Sequence, residues 1–215
     1  MDAIGIAPAF HGTSVHDGLK SYQGYAFTPA LCNVHHLREL TFVEEELKQA
    51  WGRSMKDLLL DMKAEVEQAK TRGQHELDLR VLAALLCRYE KILMEGYQAN
   101  PPPPAPKKLE HSKRKPGRAK QSPARNLLDR FSQRKQAVLR FLYDFAVPFD
   151  NNQAERDLRM IKVQQKVSGC FRSEQGVVMF CRIRSYLSTL RKQGIEVLSA
   201  LEETFSGHPV LPAFA

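Results

Sequence analysis

Two acidic residues far apart in this chain have the surroundings that metal-assisted phosphoryl chemistry needs. Glu155 stands in the run Pro148-Phe149-Asp150-Asn151-Asn152-Gln153-Ala154-Glu155-Arg156-Asp157-Leu158-Arg159, where a Pro-Phe-Asp turn gives way to a helix. A carboxylate in a first helical turn is rigidly held, and Arg159, Lys162 and Lys166 continue the same face. A cation bound there would sit beside a row of phosphate-binding side chains, which suits phosphoryl transfer. Asn152 and Glu155 also have capping-box spacing, and Glu155 and Arg159 that of a helical ion pair. A purely structural role for Glu155 therefore stands beside the chemical one.

The second acid is Asp17, in Val15-His16-Asp17-Gly18. Asp-Gly after a strand makes an ordinary turn. A metal site would instead need Asp17 at the strand's end, pointing towards Glu155. Mg2+ is the ion expected, because it takes few protein carboxylates and completes its octahedron with water and phosphate oxygens. Cys32 and His35 form a C-x-x-H, half of a zinc site by spacing, but no second pair matches it. Core packing of Cys32, with His35 as a hydrogen-bonding neighbour, is the ordinary reading.

The charge distribution points to a polyanionic partner. Net charge is +8, and residues 107–125 hold eight basic side chains against the single acid Glu110. Lys113, Arg114, Lys115, Arg118 and Lys120 in this arm, with Arg156, Arg159 and Lys162 downstream, are the candidate DNA contacts. No aromatics interleave in the arm, so salt-sensitive phosphate contacts fit better than base stacking. A solvated basic linker is the alternative. The four cysteines form no C-x-x-C, which argues against a disulfide framework or a four-cysteine zinc site and favours a reducing cytoplasm. No apolar run approaches ~18 residues and the start lacks a signal pattern, so a protein without membrane association is expected.

The elements that must position these groups are mostly helical. Thr13 to His16 and Ala30 to Cys32 read as short strands, neither with a visible partner. Thr41 and Glu44 have capping-box spacing. Val43, Leu47, Trp51, Met55, Leu58, Met62, Val66 and Ala69 then form one apolar stripe ended by Arg72-Gly73. A second helix over 75–98 would pack against it as a hairpin. Pro101 to Pro104 stop that helix. Ser122-Pro123 starts one or two more helices, reaching Phe145. Helices at Glu155, around Phe180 to Leu190 with Gly194 as the stop, and from Val197 to Phe205 complete the chain.

Several of these runs together resemble a known family. They are Leu31-Cys32-Asn33-Val34-His35-His36-Leu37-Arg38-Glu39-Leu40, Lys120 to Arg130, Pro148 to Arg156, Lys166-Val167-Ser168-Gly169-Cys170-Phe171-Arg172-Ser173 and Ser185 to Gly194. In order along essentially the whole chain, they look like transposases of bacterial insertion sequence family sixty-six, which are DDE enzymes. The resemblance implies an α/β fold: a partial ribonuclease-H-like catalytic core, predominantly helical, with a helical insertion. Residues 1–40 would hold part of the core, 41–125 the insertion and basic arm, and 126–215 the C-terminal core helices and tail. Asp17 matches the family's second catalytic aspartate and Glu155 its glutamate, both as Mg2+ ligands in a two-metal site. Cys32 and His35 match an accessory motif.

The family's first catalytic aspartate lies upstream of any matching position, so a truncated form, inactive alone, is expected. The implied activity is metal-dependent DNA strand cleavage and strand transfer, on transposon ends and target DNA. A full-length transposase or self-association is a further expected partner. The competing expectation is a non-catalytic DNA-binding or transposase-modulating helical protein.

Overall fold

The computed structural model describes residues 6–103 and 121–211. Their elements are α1 (Ile6–Ala9), β1 (Thr13–His16), β2 (Thr28–Leu31), α2 (Asn33–Glu45), α3 (Ala50–Thr71), α4 (Leu79–Ala99), α5 (Pro123–Gln133), α6 (Lys135–Val138), α7 (Arg140–Tyr143), α8 (Asn152–Lys166), α9 (Glu174–Lys192) and α10 (Val197–Phe205). The fold is predominantly helical. It divides into two compact units, Met1–Asn151 and Asn152–Ala215. Lys113, Arg114, Lys115, Arg118 and Lys120 lie outside the described residues. Among the described residues no helix is long and apolar enough to cross a membrane.

In the first unit the two short strands are each other's partner, which corrects the expectation that neither would have one. They pair in parallel, with Thr13 opposite Thr28 and His16 opposite Leu31. The Cys32 amide donates to the His16 carbonyl at 3.0 Å, adding one rung. Parallel strands need a crossover rather than a hairpin. Here residues 17–27 supply it, with a 3-10 turn at Lys20–Tyr22. Because the strands run the same way, Asp17 and Cys32 both follow the last paired residues at one edge.

Helix α2 starts directly after Cys32, earlier than the capping-box spacing at Thr41 predicts. Thr41 sits inside α2 and its Oγ1 donates to the Leu37 carbonyl at 3.0 Å. The single apolar stripe is two helices, because the chain turns at Lys48, which has φ 55°. The Gln49 amide closes back on the Val43 carbonyl at 3.2 Å, ending α2. Gln49 is then held by Asn100, whose Nδ2 donates to its Oε1 at 2.8 Å, and by Trp51, whose Nε1 donates at 2.5 Å. Gly52 lets the two helices meet. A Cβ there would stand 2.8 Å from Val43 Cγ1 and 3.1 Å from the Leu40 carbonyl oxygen.

The core lies among α2, α3, α4 and α5 to α7. Leu40, Met55, Leu58, Leu59 and Met62 are fully buried, as are Tyr89, Leu127, Leu128 and Phe131. Fully burying an aliphatic or Met side chain of this size contributes about 1.5–3 kcal/mol. The Tyr89 hydroxyl donates to the Phe131 carbonyl at 3.0 Å, satisfying its one polar group inside the core. Ser122 caps α5 by accepting the Arg125 amide at 3.1 Å, with Pro123 at the first helical position. Asn33 ties the start of α2 to two other segments. Its amide donates to the Phe149 carbonyl and its Nδ2 to the Val138 carbonyl, both at 3.0 Å.

The second unit contains α8, α9 and α10. Ser173 caps α9 through the Gly176 amide, and Gly194 ends it at φ 71°. Leu190 and Ala200 are its buried hydrophobics among the described residues.

Candidate functional site

Asp17 emerges from the end of β1 as an exposed side chain. Its Oδ1 accepts the Leu19 amide at 3.2 Å, and Gly18 turns at φ 87°. Its other oxygen accepts no hydrogen bond among the described residues. The preceding His16 is buried, and its Nδ1 accepts the Gly18 amide at 3.0 Å. Burial holds its pKa below the ordinary value, Asp17 opposing the effect and Arg134 adding to it. The ring is therefore neutral near pH 7, with its proton on Nε2. Asp17, Lys20, Glu39, Arg130 and Arg134 line a recess of about 440 Å3. Within it Arg130 Nη1 pairs with Glu39 at 2.6 Å, and Arg134 Nη1 donates to the Gly18 carbonyl at 3.3 Å.

Cys32 and His35 come together at the N-terminus of α2, with ligand atoms within 4.8 Å. Cys32 is buried, and its Sγ accepts the Asn151 amide at 3.2 Å. The sequence anticipates His35 as its neighbour; the amide of Asn151 is a partner it does not anticipate. His36 is also buried, against the Phe131 ring and the Asn33 side chain. Burial, then Arg130 and His35, lower its pKa to about 3. It is a neutral core residue.

Glu155 is exposed in the first turn of α8. Arg156, Arg159 and Lys162 are exposed on the same helix. Arg156 joins two cations that the sequence does not single out. It shares with Arg184 and Arg191 a recess of about 410 Å3, together with Asp157, Ser188 and Lys192. The Nε of Arg184 is buried without a hydrogen-bond partner among the described residues. Asp157 is paired, accepting Lys192 Nζ at 2.6 Å and Ser188 Oγ at 3.0 Å. The Lys192 hydrogen bond, with Ser188 assisting, keeps its carboxyl below the usual range. The available signal for Arg184 and Arg191 was their seven-residue spacing, two turns on one helix face. Guanidiniums with unfilled donors around a recess can take an anion, phosphate above all.

The sequence profile of the Transposase IS66 family matches residues 3–179. The chain belongs to that family. No curated protein and no solved structure matches it. For a member of the Transposase IS66 family, the general function is DNA transposition and the partner class is DNA. A divalent metal is the cofactor class such enzymes call for. The matched residues include Asp17, Cys32, His35 and Glu155, and the α8 basic face with Arg156, Arg159 and Lys162.

Proposed function

We propose that this chain contributes the acids and phosphate-contacting cations of a DDE-type DNA strand-transfer site. Asp17 and Glu155 are its two carboxylates, on a partial ribonuclease-H-like core that residues 41–125 interrupt as a helical insertion. The observation that supports this reading is the common edge of the parallel strands. Asp17 and Cys32 follow the paired residues His16 and Leu31, and Cys32 receives the amide of Asn151. Three residues of chain then separate Asn151 from Glu155, whose Cα atoms stand about 14 Å apart at most when fully extended. Connectivity permits the second acid to approach the edge that carries the first.

The donor chemistry agrees. Both acids are exposed and offer hard oxygens, which Mg2+ prefers. Cys32 and His35 offer sulfur and nitrogen, which suit softer ions, so they are kept as an accessory pair. A divalent ion held by Asp17 and Glu155 would acidify an attacking oxygen and neutralise charge on the phosphate. Arg156, Arg159 and Lys162, with Arg184 and Arg191, orient the phosphodiester backbone by charge-assisted hydrogen bonds. Lys113, Arg114, Lys115, Arg118 and Lys120 add salt-sensitive contacts along the duplex. In the reaction water attacks phosphorus at the transposon end and frees a 3′ hydroxyl. That hydroxyl then displaces a 3′ oxygen in the target strand.

The test does not need a complete reaction. Affinity for duplex DNA is measured with and without Mg2+, for the full chain and for Asp17→Asn and Glu155→Gln. Each substitution is expected to reduce the Mg2+-dependent gain about tenfold with the melting temperature unchanged. Arg184→Gln should weaken binding equally at every Mg2+ concentration. An unaltered Mg2+ response in both carboxylate variants overturns the shared-ion reading. If only neutralising Lys113, Arg114, Lys115 and Arg118 matters, DNA binding alone is the function.

A further inference from the structure

Next to the Asp17 recess, the first unit has a second cleft of about 680 Å3 with different walls. Gln133 and Arg134 line both. Part of its lining is aromatic. His16 and Tyr22 have ring centroids 4.5 Å apart at 31°, and Tyr25 and Phe27 are stacked at 5.8 Å and 23°. Gln23, Pro29 and Leu31 add to that side, and the facing wall runs from the end of α5 to the start of α7, which contributes Arg134, Gln136 and Arg140. No acid among the described residues lines this cleft.

Three cations line it, Arg134, Lys135 and Arg140. Arg130 and Lys135 are occupied by Glu39 and Glu90. Among the described residues no carboxylate pairs with Arg134 or Arg140. The Nε of Arg140 is buried and has no hydrogen-bond partner among the described residues. A space in the usual range for small ligands, ~300–1,000 Å3, thus combines ring faces, side-chain amides and two guanidiniums that no carboxylate among the described residues neutralises. A phosphate would satisfy the donors, a base the ring faces, and amides can read a base edge. Bases inside a duplex cannot offer their faces.

We propose that this cleft captures an unpaired nucleotide of the DNA strand, beside the recess that contains Asp17. Tyr25 supplies a stacking surface and Arg140, with Arg134, holds the adjoining phosphate. The proposal rests on the strand-transfer reading and adds the state of the DNA that the site engages, a locally opened strand.

The full chain is titrated against a blunt duplex and against the same duplex with a short single-stranded 3′ tail carrying 2-aminopurine. The tailed DNA is expected to bind at least fivefold tighter, with 2-aminopurine emission quenched by stacking. Tyr25→Ala and Arg140→Gln should each remove most of the tail-dependent gain and leave blunt-duplex binding unchanged. Tyr25→Phe should keep the gain, since stacking needs the ring rather than the hydroxyl. Unchanged emission and equal affinity for both DNAs in the unsubstituted chain overturn the proposal while the transposase reading stands. So does a preference for an RNA tail of the same sequence. Failure to bind either DNA overturns both.

Discussion

His36 carries the clearest pH consequence at the scale of single residues. Its pKa falls from 6.5 to about 3 on folding, through burial and then the neighbouring Arg130 and His35 charges. Between these values the unfolded chain binds the proton and the folded chain does not. Stability is therefore full above pH 6.5 and declines as pH falls towards 3, by up to about 1.4 kcal/mol per pH unit from this group. Urea unfolding of the native chain and of His36→Gln between pH 7.5 and 4.5 checks this; the variant should have the shallower acid-side slope. The place of Asp17 at a strand end and of Glu155 in a first helical turn was legible from their neighbourhoods, because a strand-end Asp-Gly and a helix-opening Glu beside basic residues are local patterns. Arg140, Arg184 and Arg191 were not. An arginine on a helix reads as solvated until the fold closes a recess around its donors.

At the scale of elements, the joint between α2 and α3 carries two predictions. Gly52→Ala pushes a methyl towards Val43 and the α2 backbone, where relief requires the helices to separate. A loss of about 1–3 kcal/mol is expected, read as a lower urea midpoint with an unchanged slope. Lys48 lies in the left-handed region at φ 55°, where a side chain costs energy that glycine avoids. Lys48→Gly is expected to stabilise the fold by about 0.5–1 kcal/mol in the same assay. This joint was invisible in the sequence for the same reason. Neither Gly nor Pro marks residues 46–49, and the apolar spacing runs through the turn nearly in phase. The hairpin of α3 and α4, the Ser122 cap and the Gly73 and Gly194 stops were legible, because each depends on neighbouring residues. The pairing of β1 with β2 was not, since parallel register is fixed by a crossover and by packing rather than by either strand's own pattern.

For the whole molecule, the two units differ in how much apolar surface they bury. The first has a continuous core from Leu31 through Phe149. Within the described part of the second, Leu190 and Ala200 alone fall in the buried class, and α8 has no buried residue. Leu158, Met160 and Val163 of α8 are exposed. So little burial cannot offset the entropy of ordering three helices. Residues 152–215 expressed alone are expected to give weak helical circular dichroism and no cooperative melt. A sharp thermal transition of that fragment would contradict this.

The hydrogen bond from the Asn151 amide to Cys32 gives the chain its own chemical stopwatch. Cys87 and Cys170 are exposed, Cys181 is half-buried and Cys32 is enclosed, so a thiol reagent meets them on different timescales. Exposed sulfurs react at the intrinsic rate of a free thiolate, whereas Cys32 reacts only when the start of α2 parts from residues 149–151. Once alkylated, that sulfur is too crowded to take the amide back. With reagent in excess enough to outpace reclosure, the slowest labelling phase then counts how often residues 149–151 leave the start of α2.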